Sequence, residues 1–365
     1  MFEIKKLEDI ENLITGLTFF GTGGGGNPDR GREILKNILE SGYRISWIDL
    51  SEIKDEGVAV TPYIMGSAAP ESPETTNIKR EIGLIDKIWN NPMLQALREL
   101  EGLLGKRASY IVPLELGGGS TSRALSLSSL AGIDMIDGDY AGRAVPEITQ
   151  VLPSIYGCKA VPIVGADDYG NIVIIKNSIN NMVAERMGKL VSEMTYAQVG
   201  FPLDIEIAKQ FVITGTLTKS YYLGKLLNST SDVGACIERM RREFGSELIF
   251  KGILEGISWR NVNYYMVGES KFKGIEEYEE ETMVIWFKNE NHLAFREQKL
   301  TASSPDLISI ISQNNCKPLT NTSLKKDDRY FIFETRSVPL LKTKVAQKFI
   351  GKDYFLNQYK KFKKR

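Results

Sequence analysis

Residues 109–136 read SYIVPLELGGGSTSRALSLSSLAGIDMI, and the order of apolar run, glycines, helical pattern and second apolar run decides the fold class. Ser109 to Leu116 has the β-branched and aliphatic character of a buried strand. Gly117-Gly118-Gly119 ends it, Ser120 to Leu130 spaces its apolar residues as a helix does, and Ile133 to Ile136 is a strand again. Strands alternating with helices build helix-covered parallel sheets. Upstream the alternation continues. Arg44 to Leu50 and Gly57 to Ile64 are short apolar strands. Asn77 to Asn90, with Ile78, Ile82, Ile85 and Trp89 on one stripe, and Asn91 to Leu104 are predicted helices. The expected N-terminal domain is therefore α/β with a mainly parallel sheet.

Leu7 to Leu17 also has helical spacing and runs into the turn Gly21-Thr22-Gly23-Gly24-Gly25-Gly26-Asn27. Asn27 then serves as N-cap with Pro28 at the first helical position, and Ile34, Leu35, Ile38 and Leu39 give the next helix its apolar face. Downstream, Val161 to Val164 and Asn171 to Ile175 flank Asp167-Asp168-Tyr169-Gly170 as the arms of a hairpin. That hairpin is read as closing a first domain, residues 1–175. Asn180 to Ala197 and Ile205 to Leu227 have helical periodicity. Glu247 to Ile253, Tyr264 to Val267, Thr282 to Phe287 and Tyr330 to Glu334 are β-rich. Residues 176–365 thus read as an α+β domain, helical at first and then β-rich. A chain of 365 residues exceeds the usual size of one core, which fits two domains.

Lys+Arg and Asp+Glu both total 46, so no basic field draws the chain to nucleic acid or an anionic membrane. The basic end, Tyr359 to Arg365, reads as a solvated tail. No apolar run approaches the ~18 residues of a membrane span, and a cytoplasmic location is expected. Cys158, Cys236 and Cys316 are far apart and read as separate thiols. His292 is the one histidine, which removes multi-histidine metal sites; its neighbours Asn289-Glu290-Asn291 suggest a surface turn.

Three segments have the residue types that chemistry needs. In the first, consecutive glycines let the N–H groups of Gly23, Gly24, Gly25 and Gly26 converge beside Asn27 and a helix N-terminus, a place for a substrate anion or developing oxyanion. The turn also satisfies G-x-G-x-x-G, with Asp49 where a dinucleotide site places its ribose-binding acid. A helix rather than a strand leads into it, so dinucleotide binding is the lesser reading. The second segment puts Glu115 at the end of a strand, with Gly118, Gly119 and Ser120 as substrate contacts. Ser120 as a plain helix cap is the competing reading. The third runs from Asp137 to Glu147 and gathers Asp137, Asp139, Arg143 and Glu147. Clustered carboxylates push their pKa values apart and leave one group available as acid or base, while Arg143 can hold a carbonyl or a carboxylate. A metal, if one is used, would be an oxygen-loving cation such as Mg²⁺ held by Glu115, Asp137 and Asp139. A solvated turn with an ion pair competes with that reading. Asp167 is either a hairpin residue or a further substrate contact.

Together these residues resemble the S-methyl-thiohydantoin desulfurase-like family, related to hydantoin-utilisation proteins. The likeness covers nearly the whole chain. It rests on Gly21 to Gly26, Glu115-Leu116-Gly117-Gly118, Asp137-Gly138-Asp139 through Gly142-Arg143-Ala144-Val145-Pro146-Glu147, and Ala166-Asp167 with Gly170-Asn171. Gly215-Thr216-Leu217 and Ser304-Pro305-Asp306-Leu307-Ile308 extend it into the second half. Ser120 stands where members commonly have Asn and Val145 where they have Phe, while Gly66 to Glu71 matches a further family stretch loosely. The resemblance implies hydrolysis of a small hydantoin-like ring, with loss of a methylthio group from an S-methylated thiohydantoin. Water would attack the ring carbon, Asp137 or Asp139 would be the base and Arg143 would orient the substrate. The implied partner is a small molecule, and a homo-oligomer or a hydantoinase-like subunit is compatible. Two alternatives stay open: an enzyme binding phosphate or a nucleotide, and a non-catalytic accessory subunit.

Overall fold

The computed structural model describes residues 1–67, 71–230 and 232–364. Ala68, Ala69 and Pro70 of the Gly66 to Glu71 stretch lie outside the described residues. The strands of the first half are β1 (Phe2–Ile4), β2 (Ile45–Ile48), β3 (Val58–Ile64), β4 (Tyr110–Ile111), β5 (Asp134–Ile136), β6 (Gly138–Asp139), β7 (Ile163–Ala166) and β8 (Ile172–Ile175). With β9 (Ala197–Asp204), all but β6 form one sheet in the order β1-β2-β5-β4-β3-β9-β7-β8. Its centre, β2-β5-β4-β3, is parallel, as the alternation of strand and helix demands. Antiparallel strands extend both edges, so the whole sheet is mixed.

Helices make the crossovers: α1 (Leu7–Phe20) and α2 (Pro28–Glu40) join β1 to β2, α3 (Pro73–Glu81) and α4 (Pro92–Leu104) join β3 to β4, and α5 (Ser120–Ala131) joins β4 to β5. Asn27 caps α2 as expected, accepting from the amides of Asp29 and Arg30 at 2.8 and 3.1 Å. The helix expected over Asn77 to Asn90 is shorter and earlier. Ser72 caps it with Pro73 at its first position, and it ends at Glu81 just before Gly83, whose φ is +85°. Ile78, Ile82 and Ile85 are exposed, so the apolar stripe has no core to bury it. Only Tyr110 and Ile111 of the Ser109 to Leu116 segment pair as a strand; the chain then leaves the sheet, and the Leu116 amide reaches the Arg143 carbonyl.

A short α6 (Leu152–Ile155) and α7 (Asn181–Val191) precede β9, which pairs between β3 and β7. The first sheet therefore takes a strand from beyond residue 175. After α8 (Ile205–Phe211), β10 (Ile213–Thr214) pairs with β6, and α9 (Thr216–Ser229) and α10 (Val233–Phe244) follow. α9 packs tightly on α1, since a Cβ at Gly16 would lie 1.7 Å from the Ser220 carbonyl oxygen. The remaining strands are β11 (Ser246–Val262), β12 (Tyr265–Gly274), β13 (Thr282–Lys288), β14 (Glu290–Arg296), β15 (Lys299–Ser303), β16 (Leu307–Ser312) and β17 (Arg329–Thr335). They form an antiparallel sheet in the order β15-β14-β13-β12-β11-β17-β16, bent by bulges in β11.

The chain ends in α11 (Gln347–Ile350) and α12 (Lys352–Lys363). The basic end continues α12: Lys360, Lys361, Lys363 and Lys364 are exposed, as a solvated end requires, while Tyr359 and Phe362 are half-buried and Lys363 pairs with Glu269 at 2.7 Å. His292 is not on the surface. It is buried in β14, stacked on Phe355 at 3.7 Å, with Nδ1 2.8 Å from the Ser304 hydroxyl. Among the described residues, no helix is long and apolar enough to cross a membrane.

Candidate functional site

Two glycine turns interlock at the C-terminal ends of the parallel strands. The Gly25 carbonyl accepts from the amides of Gly119 and Ser120, both at 3.0 Å, so the N-terminus of α5 is aimed at the first turn. A Cβ at Gly117 would fall 2.3 Å from the Gly25 oxygen, and one at Gly119 would fall 2.7 Å from the Asn27 nitrogen. Backbone touches backbone here, which is why side chains are excluded. The second half holds the other side of the first turn: Asn291 donates its amide to Thr22 at 2.7 Å and Asn321 to Gly23 at 2.8 Å. Glu290 presses closest, because a Cβ at Gly24 would lie 2.1 Å from Glu290 Oε1. The Gly25 amide donates to that same oxygen at 3.4 Å. The cradle expected for a substrate anion is thus partly occupied by a protein carboxylate.

A cleft of about 950 Å³ opens at this junction. Gly25, Gly26 and Asn27 line one side, Glu115, Gly119, Ser120, Val145 and Pro146 a second, and Lys189, Tyr264, Asn289 and Glu290 a third. Glu290 is buried, and its Oε2 has no hydrogen-bond partner. Glu115 is partly buried, and its Oε2 accepts from the Val145 amide at 2.7 Å. Desolvation and the charge of Glu290 push Glu115 above the usual carboxylate range, against the Val145 amide and the Ser120 hydroxyl. Desolvation also raises Glu290, opposed by Arg143, the Gly25 amide and Lys189. Two such carboxyls retain a proton between them near neutrality, leaving one acid and one base. Lys189, also buried, donates to the Gly66 carbonyl at 2.8 Å; burial lowers its pKa, opposed by Glu185 and Glu290.

The acidic segment is engaged in contacts within the protein. Asp137, Asp139, Arg143 and Glu147 do not line the cleft. Asp137 accepts from the amides of Leu217 and Thr218, at 3.0 and 3.1 Å, and from the Thr218 hydroxyl, and so neutralises the N-terminus of α9. Asp139 is fully buried and holds the amides of Ala141 and Gly142 at 2.9 and 2.7 Å; burial pushes its pKa up to about 7. The Arg143 guanidinium, fully buried and lowered by burial to about 10, donates to Thr22 Oγ1 (3.0 Å), the Asn291 carbonyl (2.9 Å), Ser304 Oγ (2.8 Å) and the Asp306 carbonyl (3.1 Å). It ties the first glycine turn to the second half. Glu147 bonds Lys288, Thr149 and Tyr354; burial raises its pKa, but these partners outweigh that and hold it below normal.

Asp167 organises its hairpin turn, accepting from Tyr169 and Asn171 amides at 2.9 Å. Gly23, Gly24 and Gly118 lie behind the cleft wall. Among the described residues no three His, Cys, Asp or Glu side chains are grouped to hold a metal, so Glu115, Asp137 and Asp139 are not a shared ligand set. Glu290, Asn289 and Lys189 are cleft residues that sequence reasoning missed. The run Asn289-Glu290-Asn291 looks like a polar turn, and Asn289 is indeed left-handed at φ +58°, but Glu290 already begins β14.

Two family models cover this architecture end to end: the S-Me-THD-like N-terminal domain matches residues 8–177 and the S-Me-THD-like C-terminal domain residues 179–362. The chain belongs to the S-Me-THD-like family. This is the S-methyl-thiohydantoin desulfurase-like family that the motifs resemble, and its name points to desulfurase-like activity. No curated protein matches the chain. A crystal structure of a protein from Chromobacterium violaceum shares the family fold, with a TM-score of 0.76 at 20% identity over 99% of this chain and 97% of that one. The paired carboxyls of this S-Me-THD-like chain come one from each family domain, Glu115 from the first and Glu290 from the second.

Proposed function

We propose that the chain is a hydrolase that removes the methylthio group from a small S-methyl-thiohydantoin-like ring bound in the cleft. One observation carries the reading: Glu115 and Glu290 are desolvated carboxyls that line the same cleft, the charge of Glu290 raises Glu115 further, and Glu290 has an oxygen without a partner. Such a pair supplies a base and an acid together. Glu290 takes a proton from water as the water oxygen bonds to the ring carbon that carries sulfur. The carbon–sulfur bond breaks, and the leaving methanethiolate receives its proton from Glu115. The ring carbon becomes a carbonyl of the hydantoin as the second water proton moves from its oxygen to the adjoining ring nitrogen, and a proton passes from Glu290 back to Glu115. Water and substrate thus give hydantoin and methanethiol, with both carboxyls restored.

Methanethiol release by the purified chain, followed with a thiol reagent, tests the reading. Glu290→Gln and Glu115→Gln are each expected to lower turnover by about 10²–10⁴-fold with folding intact. Unaltered rates in both variants would overturn it. Phosphate or nucleotide binding lacks comparable support, because the Gly24 amide bonds the Gly21 carbonyl and the Gly25 amide faces Glu290.

A further inference from the structure

We propose that the β8 edge of the first sheet is a dimer interface. There β8 pairs antiparallel with β8 of a second copy of this chain, and the apolar surfaces of α7 and of the segment before α4 pack on their own counterparts across a two-fold axis. β8 ends the sheet, bonded to β7 on one side and, among the described residues, to no strand on the other. Its residues Ile172-Val173-Ile174-Ile175 include no charge and no proline, and no bulge interrupts the pairing with β7. Edges that stay single are blunted by such devices. Ile172 and Ile174 are exposed on one face of the strand.

The neighbouring elements are apolar outward as well. α7, which crosses from β8 to β9, buries Ala184, Glu185, Gly188 and Lys189. It exposes Met182, Met187 and Leu190, and Met194 is exposed just beyond its end. That is the reverse of a surface helix that turns its apolar stripe to the core. Before α4, the Ile88 amide donates to the Asp168 carbonyl at 2.7 Å, and Ile88 Cδ1 lies 3.2 Å from where Gly170 would carry a Cβ. Ile85 and Ile88, 68% and 69% exposed, thus stand beside the tip of the β7–β8 hairpin. With Ile78, Ile82 and Ile179 these side chains present on the order of 1,000 Å² of apolar surface. This exceeds the ~300–600 Å² of the largest patch on a typical monomer and matches the ~800 Å² that each partner gives to a standard interface.

The free strand edge decides the occupant. A lipid surface would leave the outer amides and carbonyls of β8 without partners, whereas a second copy supplies them. The net charge of the chain is zero, so two copies approach without long-range repulsion. A two-fold axis normal to the sheet keeps each face on its own side, so α7 meets α7 and isoleucine meets isoleucine, as an isologous contact requires.

Sedimentation equilibrium of the full chain tests this. At tens of micromolar the mass should be twice the 40.9 kDa of one chain or an even multiple of it, because interfaces of this size hold at micromolar concentration or tighter. Ile174→Lys sets two like charges near the axis and should raise the dissociation constant at least about a hundredfold. Leu190→Glu tests the α7 contact independently and should act in the same direction. Leu340→Lys, at an exposed site outside this surface, should leave the mass unchanged. Circular dichroism checks that each variant is folded. Hydrogen exchange gives a second readout: the amides of residues 172–175 should be protected in wild type and exchange faster in Ile174→Lys. A monomer or any odd assembly at these concentrations would overturn the proposal, as would a dimer that survives either variant. A monomer that co-sediments with phosphatidylcholine vesicles would assign the patch to a membrane instead.

Discussion

Gly24 has room for hydrogen only because Glu290 fills the space beside it, with Oε1 2.1 Å from where a Cβ would sit. Gly24→Ala asks for no left-handed backbone and displaces only the carboxylate. It should keep a nearly wild-type thermal midpoint and lose methanethiol release at least about tenfold, as loss of a positioned base implies; full activity in this variant would separate Glu290 from the chemistry. Gly25 differs, with φ +73° and a Cβ position 2.6 Å from the Gly117 backbone, so Gly25→Ala is expected to disturb the fold itself. The raised pKa values of Glu115 and Glu290 also have a thermodynamic consequence. Above the ordinary value of 4.5 the folded chain binds more protons than the unfolded one, so their contribution is whole below that pH and is lost as pH rises through the raised values. Glu290→Gln should therefore flatten the fall in unfolding free energy between about pH 5 and 8, measured by urea titration. A fall as steep as that of wild type would show that Glu290 does not titrate in this window. The glycines were legible in the sequence because four in a row exceed what a bend requires. Glu290 was not, because its meaning depends on a turn some 265 residues upstream.

Among the elements, α9 depends on a residue that sequence reading assigned to catalysis. Asp137 accepts from its first amides and from Thr218, which is the work of a helix cap. Asp137→Ala should cost about 1–2 kcal/mol of stability, read from chemical denaturation, with turnover per folded molecule unchanged. A variant of full stability but no turnover would return Asp137 to the chemistry. An acidic cluster in a glycine-rich turn looks like a site, and local sequence cannot reveal that its amide partners come from residues 217 and 218. Elements whose signals are local were legible: Asn27 caps its helix as read, the helix read over Asn91 to Leu104 forms over Pro92–Leu104, and the strand-loop-helix order around Gly117 to Gly119 holds. The stripe through Ile78, Ile82 and Ile85 misled for the opposite reason, since periodicity predicts an apolar face without supplying the surface that would bury it.

For the whole molecule, the cleft exists only where the two halves meet, and Arg143 is the strut between them. Its guanidinium joins Thr22 of the first turn to Asn291, Ser304 and Asp306 of the second half. Arg143→Met leaves those acceptors buried without a donor and should destabilise the chain by about 3–5 kcal/mol in urea titration. An unchanged midpoint would mean that the halves are held together elsewhere. The α/β order of the first half and the β-rich second half were readable from alternation and period. Residues 197–204 were not, because they insert as β9 between β3 and β7, a pairing without a local signature. The central claim is that proton transfer is shared by one carboxyl from each half. Its most direct test is the pH dependence of methanethiol release from an S-methyl-thiohydantoin by wild type, Glu115→Gln and Glu290→Gln. The expected result is a bell-shaped wild-type profile that loses one limb in each variant. A flat wild-type profile, or the same bell in both variants, would contradict it.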